Sequence, residues 1–240
     1  MNELTHHHTK RTARRTGLAY LGIIFTGIFA EFVVRGVLVV DGDPVATARN
    51  IAEAPGLFRV GIGADLVMIL LDVTVAFGLF RLLRHVDRRL ALATTALRLL
   101  QGAVIAINLL NLFQALDLAQ QAVGNRGAVI AGPAMDALDA VERHALGYDV
   151  GLIAFAFSSI ALSRLLLASG LVSRGLAHGM FATGAVYLAG SLAAVFAPGA
   201  SPAIAPLYLI PMVVEFAFAI RLIRGPRPTA ATARPIAVPA

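Results

Sequence analysis

Five carboxylates, Glu31, Asp65, Asp72, Asp149 and Glu215, interrupt long apolar stretches of this sequence, and Arg98 does the same with the opposite sign. A charge held in hydrocarbon costs at least a few kcal/mol, so each such residue needs a partner, a water path or a task. Helical spacing assigns the first partners. Glu31 and Arg35 are four apart and pair on one face. Asp65 and Asp72 are seven apart and point the same way. Arg98, Gln101, Asn108 and Asn111 form one stripe, His144 and Tyr148 are neighbours one turn apart, and Asp149 follows them. Asp72 and Arg98 fall at matching depths and form a pair. Asp65, Asp149 and Glu215 have no cation beside them in sequence, and Arg59 is the one available across helices.

Three kinds of chemistry fit this set. The carboxylates and amides can line a polar pocket that binds or passes a small solute or ion. The motivating pattern is the clustering of Glu31, Asp65, Asn108, Asp149 and Glu215 in one half of the apolar thickness. The same groups can instead be interhelical locks in a structural or interaction protein. Alternatively, His144 with Asp65 or Asp149 can act as an acid–base pair in an intramembrane enzyme. No recognisable catalytic motif is present: there is no Gly-rich phosphate loop, HExxH or GxSxG, and the absence of Cys removes thiolate metal sites and Cys nucleophiles. Ser158, Ser159 and Ser191 have no evident base at their height. His144 and His178 lie near opposite surfaces, which excludes haem between helices. His6–His8 reads as part of a solvated tail. No cofactor or metal is expected.

The elements that must position these groups are helices. Hydrophobic residues make up 58% of the 240, charged residues only 14%, and mean hydropathy is +0.78, a balance that cannot cover a soluble domain with polar surface. Six apolar runs, Gly17–Val40, Leu57–Leu83, Leu90–Leu116, Ala145–Ala168, Leu176–Ala197 and about Ile204–Ile223, approach or exceed the roughly 20 residues that cross a bilayer. Backbone amides in lipid must be satisfied within the segment, so the runs are helical. The fold class is therefore all-α, a polytopic bundle of six transmembrane helices at residues 16–224. A basic arm (1–15) precedes it, and a Pro- and Arg-containing tail without regular structure (225–240) follows. The fifth run carries only His178 and Tyr187 and reads as peripheral.

Arginine and lysine alternate between the ends of these runs. Fourteen of 20 lie on the side of the two termini and five on the other, with Arg98 within a run. The basic side is cytoplasmic by the positive-inside rule, which predicts a cell-membrane protein with both termini inside. The partner is the lipid bilayer, and the pI near 10.7 does not indicate nucleic acid because the basic residues form no patch on a folded domain. Between the first two runs, Asp43 and Pro44 predict the cap and first residue of a short interfacial helix. The long connection Asp117–Arg143 breaks at Gly124–Gly132, and Pro133 begins a helix that continues into the fourth run.

Several segments carry a family pattern: GLAYLGIIFTGIFAEFVVRG (17–36), DGDPVATARNIAEAPGLFRVGIGADLVMILLDV (41–73), LRLLQGAVIAINLLNL (97–112) and HALGYDVGL (144–152). They resemble a bacterial integral membrane family catalogued as domain of unknown function 4386, over most of residues 10–224. The shared pattern includes Glu31, Arg35, Asp41, Asn50, Arg59, Asp65, Arg98, Gln101, Asn108, His144, Tyr148 and Asp149. At Ser169–Gly175 the chain departs from it, with Gly170-Leu171-Val172-Ser173-Arg174 in place of a Phe-Leu-Pro-Arg-type turn. The resemblance implies six spans and no particular activity.

Overall fold

The computed structural model describes residues 3–124 and 128–225, with side chains placed from His8 onward except at 201 and 202. The expected tail beyond Gly225 (with Arg227 and Arg234), Arg126, and the side chains of His6 and His7 lie outside the described residues. Six helices are long and apolar enough to cross a membrane: His8–Leu38, Pro55–Leu83, Arg88–Ala122, Ala131–Ser169, Arg174–Phe196 and Ala205–Ile223. They are numbered first to sixth below. The described residues form no strand beyond one isolated bridge, Val123 with Val129, where the third and fourth helices turn back on each other.

Local chemistry sets the helix ends. Asp43 Oδ1 accepts from Ala46 N at 2.9 Å, and Pro44 opens the short helix Pro44–Glu53 as its spacing predicts. Asp87 caps the third helix through Leu90 N at 3.0 Å, and Ser173 caps the fifth through Leu176 N at 3.3 Å. The fourth helix stops at Gly170, whose φ of 64° is open to glycine at no steric cost.

Each helix packs on its sequence neighbour, and the sixth returns to the first, so the six close into an up-and-down ring. Close approaches in this ring rest on glycine. A Cβ on Gly61 would come 2.8 Å from Val34 of the first helix, and one on Gly184 would come 2.6 Å from the Ala156 carbonyl of the fourth. Outside the ring the surface is apolar: Phe32, Ile107, Leu110 and Phe196 are each at least two-thirds exposed. An exposed apolar girdle around a bundle that buries Arg98, Asp65 and Asp72 is the arrangement lipid solvates. The chain is a multi-pass membrane protein.

Three features depart from the sequence reading. Residues 8–15 are not a separate arm but continue the first helix, with Ala13 fully buried and Thr16 nearly so. The third helix does not end near Leu116 but runs to Ala122, beside a fourth helix that starts at Ala131. In this extension Ala115, Ala119 and Ala122 pack with Ala134, Ala137 and Ala140, and Ala48 and Ile51 of the short helix join the same core. Small side chains let the backbones approach and bury these turns against each other. The fifth helix, finally, is not peripheral, since Tyr187 reaches the ring centre.

Candidate functional site

Two clusters of ionised groups sit inside the ring, one above the other. The one nearer the face opposite the termini, called outer below, is built on an irregularity of the first helix. Residues Phe29–Arg35 form a π-helix, in which the Gly36 amide donates to the Glu31 carbonyl five residues back. Such widened turns are rare and cluster at functional positions. Arg35 leaves this turn to hold two carboxylates. Its Nε donates to Glu31 Oε2 at 2.8 Å, and Nη1 and Nη2 donate to the two oxygens of Asp65 at 2.6 and 3.4 Å. Asp65 is 1% exposed, whereas the Glu31 side chain is 61% exposed. The guanidinium thus bridges a buried carboxylate and an exposed one.

Beside this bridge lies a cavity of about 680 Å³. Glu31, Arg35, Asp41 and Asp65 line one wall, and Glu142, His144, Tyr148 and Asp149 of the fourth helix line another. Tyr187 and Tyr208 close it from the fifth and sixth helices. His144 is held on its far edge. Asn108 Nδ2 donates to the His144 carbonyl at 2.7 Å and lies 3.2 Å from its Nδ1, while Asn111 Nδ2 donates to Asn108 Oδ1 at 2.8 Å. Gly147 leaves the room that the Asn108 side chain occupies. The imidazole Nε2 is buried and makes no hydrogen bond. Asp149 Oδ1 accepts from the Ser191 hydroxyl at 3.3 Å.

Deeper in the ring every helix contributes one large side chain to a common centre: Tyr20, Asp72, Arg98, Phe155, Tyr187 and Glu215. Arg98 Nε and Nη2 both reach Asp72 Oδ1 at 2.6 Å. The guanidinium carbon lies 5.0 Å from the ring centroid of Tyr20 and 4.7 Å from that of Phe155. Two aromatic faces in a desolvated site stabilise a cation by about 2 kcal/mol or more each. A chamber of about 60 Å³ remains beside them. Tyr148, Leu152 and Tyr187 line both this chamber and the outer cavity, so they form the partition between the two.

Three of the expected neighbour pairs lie together. Glu31 pairs with Arg35, Asp72 with Arg98, and the His144 and Tyr148 rings lie 6.2 Å apart between centroids. Others are corrected. Arg59 is exposed and joins none of the described ion pairs, and Asp65 is served by Arg35 instead. Glu215 does not belong to the outer cluster. The 3-10 turn Ala205–Tyr208 delays the sixth helix to Leu209, which places Tyr208 at the outer cavity and Glu215 two turns deeper, at the centre. Asn108 faces His144 rather than the cavity, and His144 hydrogen-bonds to Asn108 rather than to Asp65 or Asp149. Sequence reasoning missed Asp41, Glu142, Tyr187 and Tyr208 as cavity walls. The tyrosines carry no periodic signal, and their scarcity is the one pointer to them, four in a chain without Trp.

The family model described as Domain of unknown function (DUF4386) matches residues 15–225, which spans the whole ring. The chain belongs to this family. Both ionised clusters and both cavities fall within the matched residues. No curated protein and no solved structure matches the chain.

Proposed function

We propose that this membrane protein binds, and passes toward its centre, a small solute carrying a positive group, which enters the outer cavity from the side opposite the termini. The supporting observation is the charge of the cavity wall: five carboxylates, Glu31, Asp41, Asp65, Glu142 and Asp149, face one guanidinium, and that guanidinium is already bound twice. A low-dielectric cleft lined by one sign of charge concentrates the opposite sign. Phenol rings on the opposite walls suit an organic ammonium group, which aromatic faces attract. The alternation of Arg and Lys supports an orientation with the termini in the cytoplasm and the short helix Pro44–Glu53 at the outer interface of the cell membrane.

The natural chain has no Cys, so single cysteines are clean reporters. Ala145→Cys, in the cavity wall, is expected to react in intact cells with a membrane-impermeant thiol reagent, and ethylammonium at saturating concentration should slow it where sulfate does not. Leu110→Cys, on the exposed apolar face, should stay unmodified. Labelling of Ala145→Cys from the cytoplasmic side alone, or equal rates with and without ethylammonium, would refute the reading.

A further inference from the structure

The central chamber holds more acceptors than the protein can satisfy. Arg98 is the one cation at its wall, and both of its contacts to a carboxylate go to Asp72. Glu215 faces the same space without an ion pair. It is 8% exposed; its Oε2 takes a 3.5 Å hydrogen bond from the Tyr187 hydroxyl, and its Oε1 has no partner. Gln101 Oε1, on a side chain also 8% exposed, is equally unpartnered. The Tyr20 hydroxyl lies near Arg98 and Glu215 without a well-directed hydrogen bond to either. Two buried acceptor oxygens cannot satisfy each other, and each costs about 1–3 kcal/mol when left bare. An ionised Glu215 also leaves the centre with two carboxylates against one guanidinium, a surplus of one negative charge in a volume that would admit about two waters.

We infer that the chamber is a binding site for a single small monovalent cation, a proton or an alkali ion, held by Glu215 with the Gln101 carbonyl and the Tyr20 hydroxyl as further oxygen ligands. The occupant converts the surplus charge to neutrality and gives the bare acceptors a shared partner. The groups facing Glu215 come from every helix of the ring: Tyr20, Asp72, Arg98, Tyr148 and Tyr187. Entry runs from the outer cavity past Tyr148 and Tyr187, which line both spaces. The inference does not rest on the solute proposed for the outer cavity.

The chain supplies its own reporter. It has no Trp, and Tyr20, Tyr148 and Tyr187 line the chamber, so three of its four tyrosines report on it. The full chain in lipid nanodiscs would be titrated between pH 5 and 8.5 in choline chloride, and then with NaCl or LiCl replacing choline at constant ionic strength, reading tyrosine emission. A saturable response to Na⁺ or Li⁺ that Glu215→Gln weakens about tenfold or more assigns an alkali ion. A response to pH alone that Glu215→Gln removes assigns a proton. Tyr187→Phe should keep the response and move its midpoint, and Arg59→Gln, at an exposed position that lines neither space, should leave it unchanged. If Glu215→Gln does not fold, Gln101→Leu takes its place and should weaken the response. Wild type and variant tracing the same curves, or no response in either titration, means that water alone occupies the chamber and overturns the inference.

Discussion

Arg35 and Arg98 solve the same problem, a guanidinium inside a membrane bundle, in opposite ways. Arg98 is 2% exposed, has one carboxylate, and is sandwiched by Tyr20 and Phe155. Arg35 has two carboxylates, no aromatic cage among the described contacts, and a partner in Glu31 that is largely open. The first arrangement ties the first, second and fourth helices to the third at the ring axis. The second leaves a charged rim on a large cavity, and its geometry depends on a π turn that a straight helix would not need. The same pair of residue types thus acts as a clamp where the surroundings are closed and as a cavity wall where they are open.

The contrast can be broken by substitution. Arg98→Leu leaves Asp72 buried and unpaired, and the expected loss is about 3–5 kcal/mol, read as a fall in the unfolding midpoint of the purified protein in micelles. The double change Asp72→Leu with Arg98→Leu removes both charges and should recover most of that loss; if it does not, the pair is more than a clamp. Asp65→Asn still leaves Arg35 bound to Glu31, so the loss should be smaller, about 1–3 kcal/mol, while protection of Ala145→Cys by ethylammonium disappears. Glu31→Gln touches an exposed pair and should cost at most about 1 kcal/mol, less at high salt, in the same unfolding assay. Equal losses for Arg98→Leu and Glu31→Gln would erase the distinction between the two sites.

The fold was readable because lipid tolerates so few solutions: long apolar runs must be helices, and their charge alternation orders them. Within the site, pairs along one helix or at matched depth could be seen in advance, as with Glu31–Arg35 and Asp72–Arg98. Asp65 shows where this stops. Arg59 is six residues away, about 240° around the helix, so it points to a different face, and the true partner on the first helix is chosen by tertiary packing at Gly61 and Val34. Glu215 was misplaced for a different reason: depth read along the apolar run Ile204–Ile223 assumes regular helix, and the 3-10 turn at Ala205–Tyr208 shifts the register. Tyr187 was passed over because a lone tyrosine on an apolar helix carries no periodic signal. Its role emerges only when the ring closes.

The fourth helix runs without a break for 39 residues, about 58 Å at the usual rise, well beyond the roughly 30 Å of hydrocarbon it crosses. Along that one rod sit Glu142 and His144 at the outer cavity, Tyr148 in the partition and Phe155 against the Arg98 guanidinium. Mechanically it is a lever with no hinge: a tilt imposed at its projecting end swings the vestibule wall, the divider and the aromatic lid of the axial arginine by the same angle. Along this rod, the upper and lower compartments cannot be reshaped one at a time.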